Sequence, residues 1–379
     1  MVRVKLFVMQ KDEDDILNDW IIYHAHLFGL ENIYLIDNYS GEASKSIIEH
    51  YQRQGLNVYE RPDYAHKGEY LCELIRAMAD DCDIAIPMDL DEFIGVISFD
   101  NAPREPLIAW ARQCLSFNED EYLGRYPEIR EECKVHKETP FENFVNRGYL
   151  LGRQIPSEDQ WSDEEALAYA KEHKEVIMKH YPQWTLACDR EQIWAELERL
   201  PAYGRYAFYY YLASCNTELE YPSPIEDIQY FHIVDLSNYE GRGNFNKKFF
   251  WAKSLVKLDH GNHHGTVQDL YQSQCVESRL CLYHYHHRGI WKLIQKTKND
   301  ILGLGHIKDI NNLKELRERI KEGVPGAHNI ATYLQFLVSG PLSLTMMEEG
   351  AIPITALAQK IKALRQELMA EAEEDQLPD

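Results

Sequence analysis

The first hundred residues alternate between short apolar runs and longer segments in which apolar residues recur at helical spacing. The runs predict strands at residues 2–9, 32–36, 56–60 and 83–88, and the intervening segments predict helices near 12–28, 43–54 and 68–79. Two of these helices are followed by Gly29 and Gly55, and glycine commonly follows the end of a helix. Because strands that alternate with helices form right-handed crossovers, the pattern predicts an α/β fold with a mostly parallel sheet flanked by helices.

The alternation stops near residue 100 and returns only in part. Residues 101–204 predict a mostly helical insertion, in which Ser162-Asp163-Glu164-Glu165 and Asp189-Arg190-Glu191-Gln192 resemble capping boxes. Strand-like runs return at 205–213, 228–234, 247–252 and 281–285, and helical spacing returns from about residue 305. We therefore predict four parts, with the boundaries 1–100, 101–204, 205–304 and 305–379. The first and third form the α/β domain, the second is the insertion, and the fourth is a helical C-terminal extension.

The C-terminal extension contains a short apolar seam before its acidic end. The seam consists of Leu357, Ile361, Leu364 and Leu368, and the sequence EAEEDQLPD follows it. Because the seam lasts less than two heptads, it favours a helix docked on its own domain over a coiled coil. An oligomer contact or a partner contact through this helix is the alternative.

Composition excludes several classes of protein. A formal net charge of −22 argues against nucleic acid or an anionic membrane as the partner, since both favour basic faces. No apolar run approaches the roughly 20 residues needed for a transmembrane helix, and the first residues do not have the pattern of a signal peptide. The eight cysteines form no CxxC pair, so we expect free thiols and a cytoplasmic protein, peripheral to a membrane at most through its acceptor.

Three of the predicted strands end in polar clusters: Lys11-Asp12-Glu13, Asp37-Asn38 and Asp89-Leu90-Asp91. Each cluster alone is most simply an acidic surface turn. However, the carboxyl ends of parallel strands share one edge of a sheet, and ligands bind there. A dinucleotide site is excluded because the segment after the first strand, QKDEDD, has no glycine and four acids. The P-loop pattern is absent as well.

Acidic strand ends suit a nucleotide whose diphosphate is neutralised by a divalent cation, because Mg²⁺ and Mn²⁺ bind carboxylate oxygens. Asp89 and Asp91 are two residues apart and point to one side if the strand geometry continues to them. Alternation in CLYHYHH likewise places His284 and His286 on one face. These histidines are either structural or metal ligands, and a zinc site that includes His263 and His264 is a further alternative.

Three segments resemble, in order, motifs of the glycosyltransferases allied to families 2 and 92. The opening turn, helix and second turn of that family are similar to KDEDDILNDWIIYHAHLFGLENIYLIDNYSGEAS. Its DxD motif is similar to PMDLDEF, and its late HY element with a basic residue is similar to LYHYHHRGIWKLIQK. The resemblance covers about residues 1–100 and 205–300. It implies a GT-A fold, a nucleotide-sugar donor, and Mn²⁺ or Mg²⁺ as cofactor.

Roles are carried over from this resemblance residue by residue. It implies donor contacts at Lys11, Glu13, Asp37, Asn38, Lys67 and Asp89, the last of these to the sugar or ribose. It implies that Asp91 binds the metal and that His284 completes the metal site, with His286 as the fallback ligand. Asp12 stands where the family usually has Asn, and the insertion has no counterpart that we can place.

Candidate bases for an acceptor hydroxyl occur in two segments. The loop 258–265 contains His263, beside Asp259, and glycines on both sides allow a ligand to approach its backbone. The segment PIEDIQ contains Glu226 and Asp227, and a carboxylate is the chemically preferred base. We take Asp227 and His263 as the candidates.

The sequence therefore predicts a metal-dependent glycosyltransferase that acts, with inversion, in polysaccharide biosynthesis. We expect a UDP-linked sugar donor and a glycan, a lipid-linked glycan or a glycoprotein as acceptor. A metal-dependent nucleotidyltransferase or phosphohydrolase would use the same carboxylates. A carbohydrate-binding protein without catalysis is the third alternative, since the chain has 24 tyrosines and seven tryptophans.

Overall fold

A computed structural model describes the residues 2–153, 161–214, 221–233, 248–261, 265–268, 275–286, 288–305, 307–324, 327–339 and 352–374. The chain forms two compact units. One consists of Met1–Val96 with Cys188–Asp379, and the other of Ile97–Ala187. The candidate residues that the structure describes all belong to the first unit.

The first unit begins with strands and helices in alternation. Their bounds are β1 (Val4–Gln10), α1 (Asp14–Phe28), β2 (Ile33–Asp37), α2 (Glu42–Gln52), β3 (Asn57–Glu60), α3 (Lys67–Ala77), β4 (Ile84–Met88) and β5 (Glu92–Ile97). All residues of β1, β2 and β4 are buried, which explains why these strands are mainly apolar and show no alternation.

Strands β3, β2, β1 and β4 lie side by side in that order and are parallel. Gln10 of β1 is opposite Asp37 of β2, and Val8 is opposite Met88 of β4. The carboxyl ends of these strands therefore meet at one edge of the sheet. Asp89 follows β4 at that edge.

The second unit is mainly helical and has its own core. Its elements are α4 (Arg104–Leu115), α5 (Glu119–Arg125), α6 (Ile129–His136), α7 (Pro140–Asn143), α8 (Asp163–Glu172), α9 (Lys174–His180), α10 (Pro182–Thr185) and β6 (Leu186–Ala187). Trp110, Tyr122, Phe144 and Tyr181 are fully buried in this core. The capping box predicted at Ser162 is present, since Ser162 and Glu165 bind each other's backbone N–H groups.

The chain returns to the first unit with a mixed set of elements. They are α11 (Arg190–Arg199), β7 (Arg205–Ser214), α12 (Pro224–Asp227), β8 (Tyr230–Ile233), β9 (Lys248–Trp251), β10 (Leu255–Leu258), β11 (Gly265–Val267), β12 (Cys275–His284), α13 (Ile290–Gly303), α14 (Leu313–Glu322), α15 (Ala327–Ser339), β13 (Ile352–Pro353) and α16 (Ala356–Glu374). Strand β12 is parallel to β7 and antiparallel to β5.

The predicted α/β fold, a large sheet flanked by helices, is confirmed. The sheet is parallel from β3 to β4 and mixed beyond β4, where β9 is antiparallel to both β4 and β7. Strand β5 is missing from the sequence prediction. Its six residues are all buried, so they show no alternation, and they follow directly on the acidic turn. No helix in the described ranges combines the length and the apolar character that crossing a bilayer requires.

The C-terminal helix α16 packs against α1 and α12 of its own unit. Leu357, Ile361 and Leu364 of the predicted seam are buried, whereas Leu368 is 45% exposed. Arg365 lies at the end of the buried face of α16. Its Nε donates to Asp19 Oδ1 at 2.8 Å, and its guanidinium also pairs with Glu226. The seam is therefore the face by which α16 packs on its own unit. Its buried part ends at Leu364, one turn before Leu368, the last residue of the predicted seam.

We predict that Arg365→Met lowers the free energy of unfolding by about 2 kcal/mol, because it leaves the buried Asp19 carboxylate without its cation. Urea unfolding followed by circular dichroism measures the change. Deletion of residues 367–379 is the matched control, since residues 367–370 are exposed and Arg365 is kept. An equal loss of stability in both variants would show that the apolar end of the tail, not the ion pair, anchors α16.

Candidate active site

Asp91 lies in the turn that joins β4 to β5, at the carboxyl edge of the parallel strands. The backbone N–H of Glu92 donates to the carbonyl of Asp89 at 3.2 Å, and the Glu92 carboxylate accepts from the Asp89 N–H at 2.9 Å. The backbone carbonyl of Asp91 accepts from Tyr285 N–H at 2.8 Å. These bonds fix the turn and leave the Asp91 side chain only 1% exposed.

The pairing of β12 with β5 brings the histidine-rich segment to Asp91. His284 is directly opposite Glu92, so it is adjacent to the acidic turn. Its Nε2 lies 3.2 Å from Asp91 Oδ1, and His286 Nδ1 lies 3.8 Å from Asp91 Oδ2. The two histidines are two residues apart, and both reach the same carboxylate although β12 ends at His284.

One ligand atom from each of Asp91, His284 and His286 can be chosen so that all lie within 4.8 Å of one another. The buried Asp91 Oδ1 and His284 Nε2 face each other at 3.2 Å, an ion pair when His284 is protonated, and neither has another hydrogen-bond partner within the described part of the chain. Buried polar atoms are normally paired, so these two atoms fit metal ligands. One carboxylate with two imidazoles suits Mn²⁺ or a later transition metal better than Mg²⁺, which prefers oxygen ligands alone.

Tyr210, on the neighbouring strand β7, contacts the other ring nitrogen of His284. If Nδ1–H donates to the Tyr210 oxygen, the lone pair of Nε2 points towards Asp91 and is available to a metal. The Asp91 carboxylate raises the pKa of His284 above its usual value, although burial alone would lower it. Burial alone would likewise raise the pKa of Asp91, but Lys296 and His284 lower it well below its usual value.

Three cations come to this cluster from α13 and the residues before it. Lys296 pairs with Asp91 Oδ2, and Arg288 Nη1 lies 3.6 Å from the same oxygen. Lys292 pairs with Asp15 Oδ1 at 2.9 Å and also donates to the backbone carbonyl of Asp12. None of the three is given a role by the sequence motifs, although their spacing of four residues predicts a single helix face.

Arg288 links residues at the start of α1 to Asp91 through ion pairs. Its side chain is fully buried, its Nε donates to Asp15 Oδ2 at 2.7 Å, and its guanidinium also pairs with Glu13. A further bond of 2.7 Å goes to the backbone carbonyl of Tyr285. Glu13, which the resemblance made a donor contact, is therefore held by an internal cation in this structure.

Lys67 and Asp89 form a second pair at the same edge. Lys67 begins α3 and its side chain is 3% exposed, whereas that of Asp89 is 25% exposed. Asp300 is a further carboxyl near this edge, and no sequence motif points to it. Burial raises the pKa of Asp300 to about 6, in part opposed by Lys296 and Lys67.

The turns after β1 and β2 are bonded to each other. Asp37 accepts from the side chain of Gln10 at 2.6 Å and from the backbone of Ser40 at 3.1 Å. Asn38 donates to the Arg61 carbonyl at 2.7 Å, and the Lys11 amine donates to the Asn38 carbonyl at 2.9 Å. The structure thus brings Lys11, Asp37 and Asn38 together. The Asp37 carboxylate and the Asn38 amide already make hydrogen bonds that hold these turns in shape.

The candidate bases lie elsewhere or outside the described residues. Asp227 accepts from Ser223 N–H at 3.0 Å within the short helix α12, and Glu226 pairs with Arg365. Among the described residues, no hydrogen bond or ion pair joins Asp227 to Asp91. His263, together with His264, lies outside the described residues.

Comparisons with known proteins identify no family. No family model matches the chain, and no curated relative matches it. The crystal structure of mannose-1-phosphate geranyltransferase from Thermus thermophilus matches at 10% sequence identity and a TM-score of 0.25, over 87% of this chain and 68% of that chain. At that TM-score the similarity establishes neither a shared fold nor an activity.

We predict that Arg288→Met lowers the free energy of unfolding by about 3–5 kcal/mol, because Glu13 and Asp15 lose the buried cation between them. Urea unfolding at neutral pH measures this loss. The pKa of Asp15 lies below its usual 3.8, so its ion pairs stabilise the fold at neutral pH and lose that effect as the pH falls below about 4. The difference between wild type and variant should therefore shrink in acid.

Arg199→Met is the matched control for this prediction. Arg199 also pairs with a buried carboxylate, that of Glu196, but Glu196 keeps a second arginine, Arg279, at 3.2 Å. We expect this variant to lose less than about 1 kcal/mol, in the range of partly exposed pairs. Equal losses in Arg199→Met and Arg288→Met would contradict the role given to the buried guanidinium.

Proposed function

We propose that the protein is a metal-dependent glycosyltransferase that moves a sugar from a nucleotide-sugar to an acceptor hydroxyl. The observation that carries the proposal is the group Asp91, His284 and His286, at the carboxyl edge of the sheet, beside Lys296 and Arg288. A divalent cation held by these three residues would offset the charge of a leaving diphosphate. The resemblance of the sequence motifs to glycosyltransferases of families 2 and 92 supports the same reaction.

The residues of the chain then divide into groups by what they can do. Asp91, His284 and His286 would hold the cation. Lys67 pairs with Asp89, and Arg288 lies 3.6 Å from Asp91, so both cations stand at the edge where the donor's phosphates would bind. Asp89, a quarter of whose side chain is exposed, would contact a sugar or ribose hydroxyl beside its ion pair with Lys67.

The polar turns after β1 and β2 shape the expected nucleotide side of the site. Lys11, Asp37 and Asn38 lie there, and the mutual hydrogen bonds of these turns hold them in place before any ligand binds. A pre-formed site of this kind costs less ordering entropy on binding. We include a UDP-linked donor and inversion at the anomeric carbon in this proposal.

The proton of the acceptor hydroxyl needs a base, and Asp227 and His263 are our candidates from the sequence. In this structure Asp227 binds the backbone of Ser223, so its use as a base requires that bond to break. Asp227→Asn and His263→Ala, each assayed for donor binding and for sugar transfer, separate the two. The base variant is the one that loses transfer and still binds donor with Mn²⁺.

We predict that the protein, with Mn²⁺ and a panel of nucleotide-sugars, slowly hydrolyses one donor to a nucleoside diphosphate and free sugar. Water then takes the place of the absent acceptor. Chromatography of the products identifies the nucleotide. Release of pyrophosphate or of a nucleoside monophosphate instead would favour a nucleotidyltransferase or phosphohydrolase, and binding without turnover would favour a carbohydrate-binding protein.

We predict that Asp91→Asn weakens Mn²⁺ binding at least about 100-fold and abolishes donor hydrolysis, because it removes the charged ligand. Titration calorimetry with Mn²⁺ alone measures the first effect without depending on turnover. Asp14→Asn is the control, since Asp14 is half-exposed and lies 3.6 Å from Lys292, outside the ligand group. Mn²⁺ affinity equal to wild type in Asp91→Asn would remove Asp91 from the metal site.

His284→Ala and His286→Ala rank the two imidazoles. His284 lies closer to Asp91 and is only 8% exposed, so we expect its loss to weaken Mn²⁺ binding more. His286, whose side chain is 35% exposed, lies at 3.8 Å and should contribute less. The same Mn²⁺ titration measures both variants, and a reversed order would make His286 the main imidazole ligand.

A further inference from the structure

Lys296 forms an ion pair with Asp91, the carboxylate that the proposed metal site needs. Its amine pairs with Asp91 Oδ2, while Asp91 Oδ1 faces His284 at 3.2 Å. The side chains of Asp91 and Lys296 are 1% and 17% exposed, so water screens their attraction little. A divalent cation bound to Asp91 would lie close to the Lys296 ammonium and would repel it.

Asp91 and its ion-pair partners form a set of paired charges without a metal. The carboxylates of Glu13, Asp15 and Asp91 pair with the side chains of Arg288, Lys292 and Lys296. Binding of a divalent cation adds two positive charges to this set. A diphosphate brings negative charge that offsets this addition, so metal and diphosphate are complementary ligands of this cluster.

Lys296 is the cation that can leave Asp91 most readily. Arg288 is held by Glu13, Asp15 and the backbone carbonyl of Tyr285, so its guanidinium is fixed on several sides. Lys296 differs, since within the described residues the hydrogen bond of its amine goes to Asp91 alone. A lysine amine on a flexible four-carbon stem also changes partners more easily than a planar guanidinium.

We propose that Lys296 is an exchangeable counter-ion of Asp91 and a phosphate-binding residue: a divalent cation displaces its amine from Asp91, and the released amine binds the diphosphate of the donor. This inference rests on the proposed function, because it requires a diphosphate ligand beside the metal. It makes metal and donor binding sequential, since the amine is engaged with Asp91 until the metal is present. Before the metal binds, Lys296 supplies the positive charge that pairs with Asp91. After the metal binds, its amine binds the diphosphate of the donor.

The exchange predicts opposite effects of one substitution on two ligands. Lys296→Met removes the competitor from Asp91, so Mn²⁺ alone should bind at least about tenfold tighter than to wild type. The same variant lacks the amine that receives the diphosphate, so inorganic pyrophosphate should bind about tenfold more weakly at saturating Mn²⁺. Titration calorimetry measures both affinities, and neither measurement depends on turnover or on the identity of the nucleotide.

Two further variants serve as controls in the same titrations. Lys292→Met removes a lysine one turn earlier on the same helix face, which pairs with Asp15 and not with Asp91, so its effect on Mn²⁺ affinity should be smaller. Lys296→Arg keeps the charge and should bind Mn²⁺ no more tightly than wild type. Thermal unfolding followed by circular dichroism identifies any variant that fails to fold, and Lys296→Gln then replaces Lys296→Met.

The outcomes separate this inference from the proposed function. Unchanged or weaker Mn²⁺ binding in Lys296→Met, beside measurable binding in wild type, overturns the exchange and leaves the metal site intact. Tighter Mn²⁺ binding with unchanged pyrophosphate affinity overturns the phosphate-binding role. Absence of Mn²⁺ binding in wild type and in Lys296→Met overturns the metal-dependent function and the inference with it.

Discussion

A buried carboxylate needs cations, and the arrangement around Asp91 follows from that requirement. Its side chain is 1% exposed, and an isolated charge at such burial costs several kcal/mol. The protein supplies Lys296, Arg288 and two imidazoles around one carboxylate. Replacing a whole buried ion group by apolar side chains is often neutral for stability, whereas removing one partner of the group is costly.

The sheet determines which segments meet at this carboxylate. The parallel strands end at one edge, so the turns after β1, β2 and β4 are neighbours although the helices α1, α2 and α3 separate them in sequence. The antiparallel pairing of β5 with β12 then places His284 opposite Glu92. Helix α13 follows β12 and returns over the same edge, where its lysines reach Asp15 and Asp91.

The sequence predicted the elements that have a strong local pattern. The strands β1, β2 and β4 could be read from their apolar runs, the first three helices from helical spacing, and His284 and His286 from alternation. The sequence did not indicate that Glu13 is neutralised by Arg288, because the two are 275 residues apart and no local pattern joins them. Lys292 and Lys296 were missed for a related reason, since a basic helix face normally indicates contact with solvent.

Strand β5 shows a second limit of periodicity. It is buried along its whole length and lacks alternation, as β1, β2 and β4 do, but it begins within the acidic segment, with only three residues between it and the end of β4, so it does not stand out as a separate apolar run. The seam of α16 was predicted one turn too long, because Leu368 continues the spacing but is exposed. Both errors arise from tertiary contacts, which periodicity does not contain.

The pairing of Lys296 with Asp91 spans 205 residues, and that distance has a consequence for biosynthesis. A ribosome delivers the acidic turn long before it delivers strand β12 and helix α13. During that interval Asp91 has neither its histidines nor its lysine, and a charged carboxylate favours a hydrated turn over burial. The edge of the sheet that carries the candidate site therefore closes only after helix α13 has emerged, and a shorter chain cannot bring Asp91 together with His284 and Lys296.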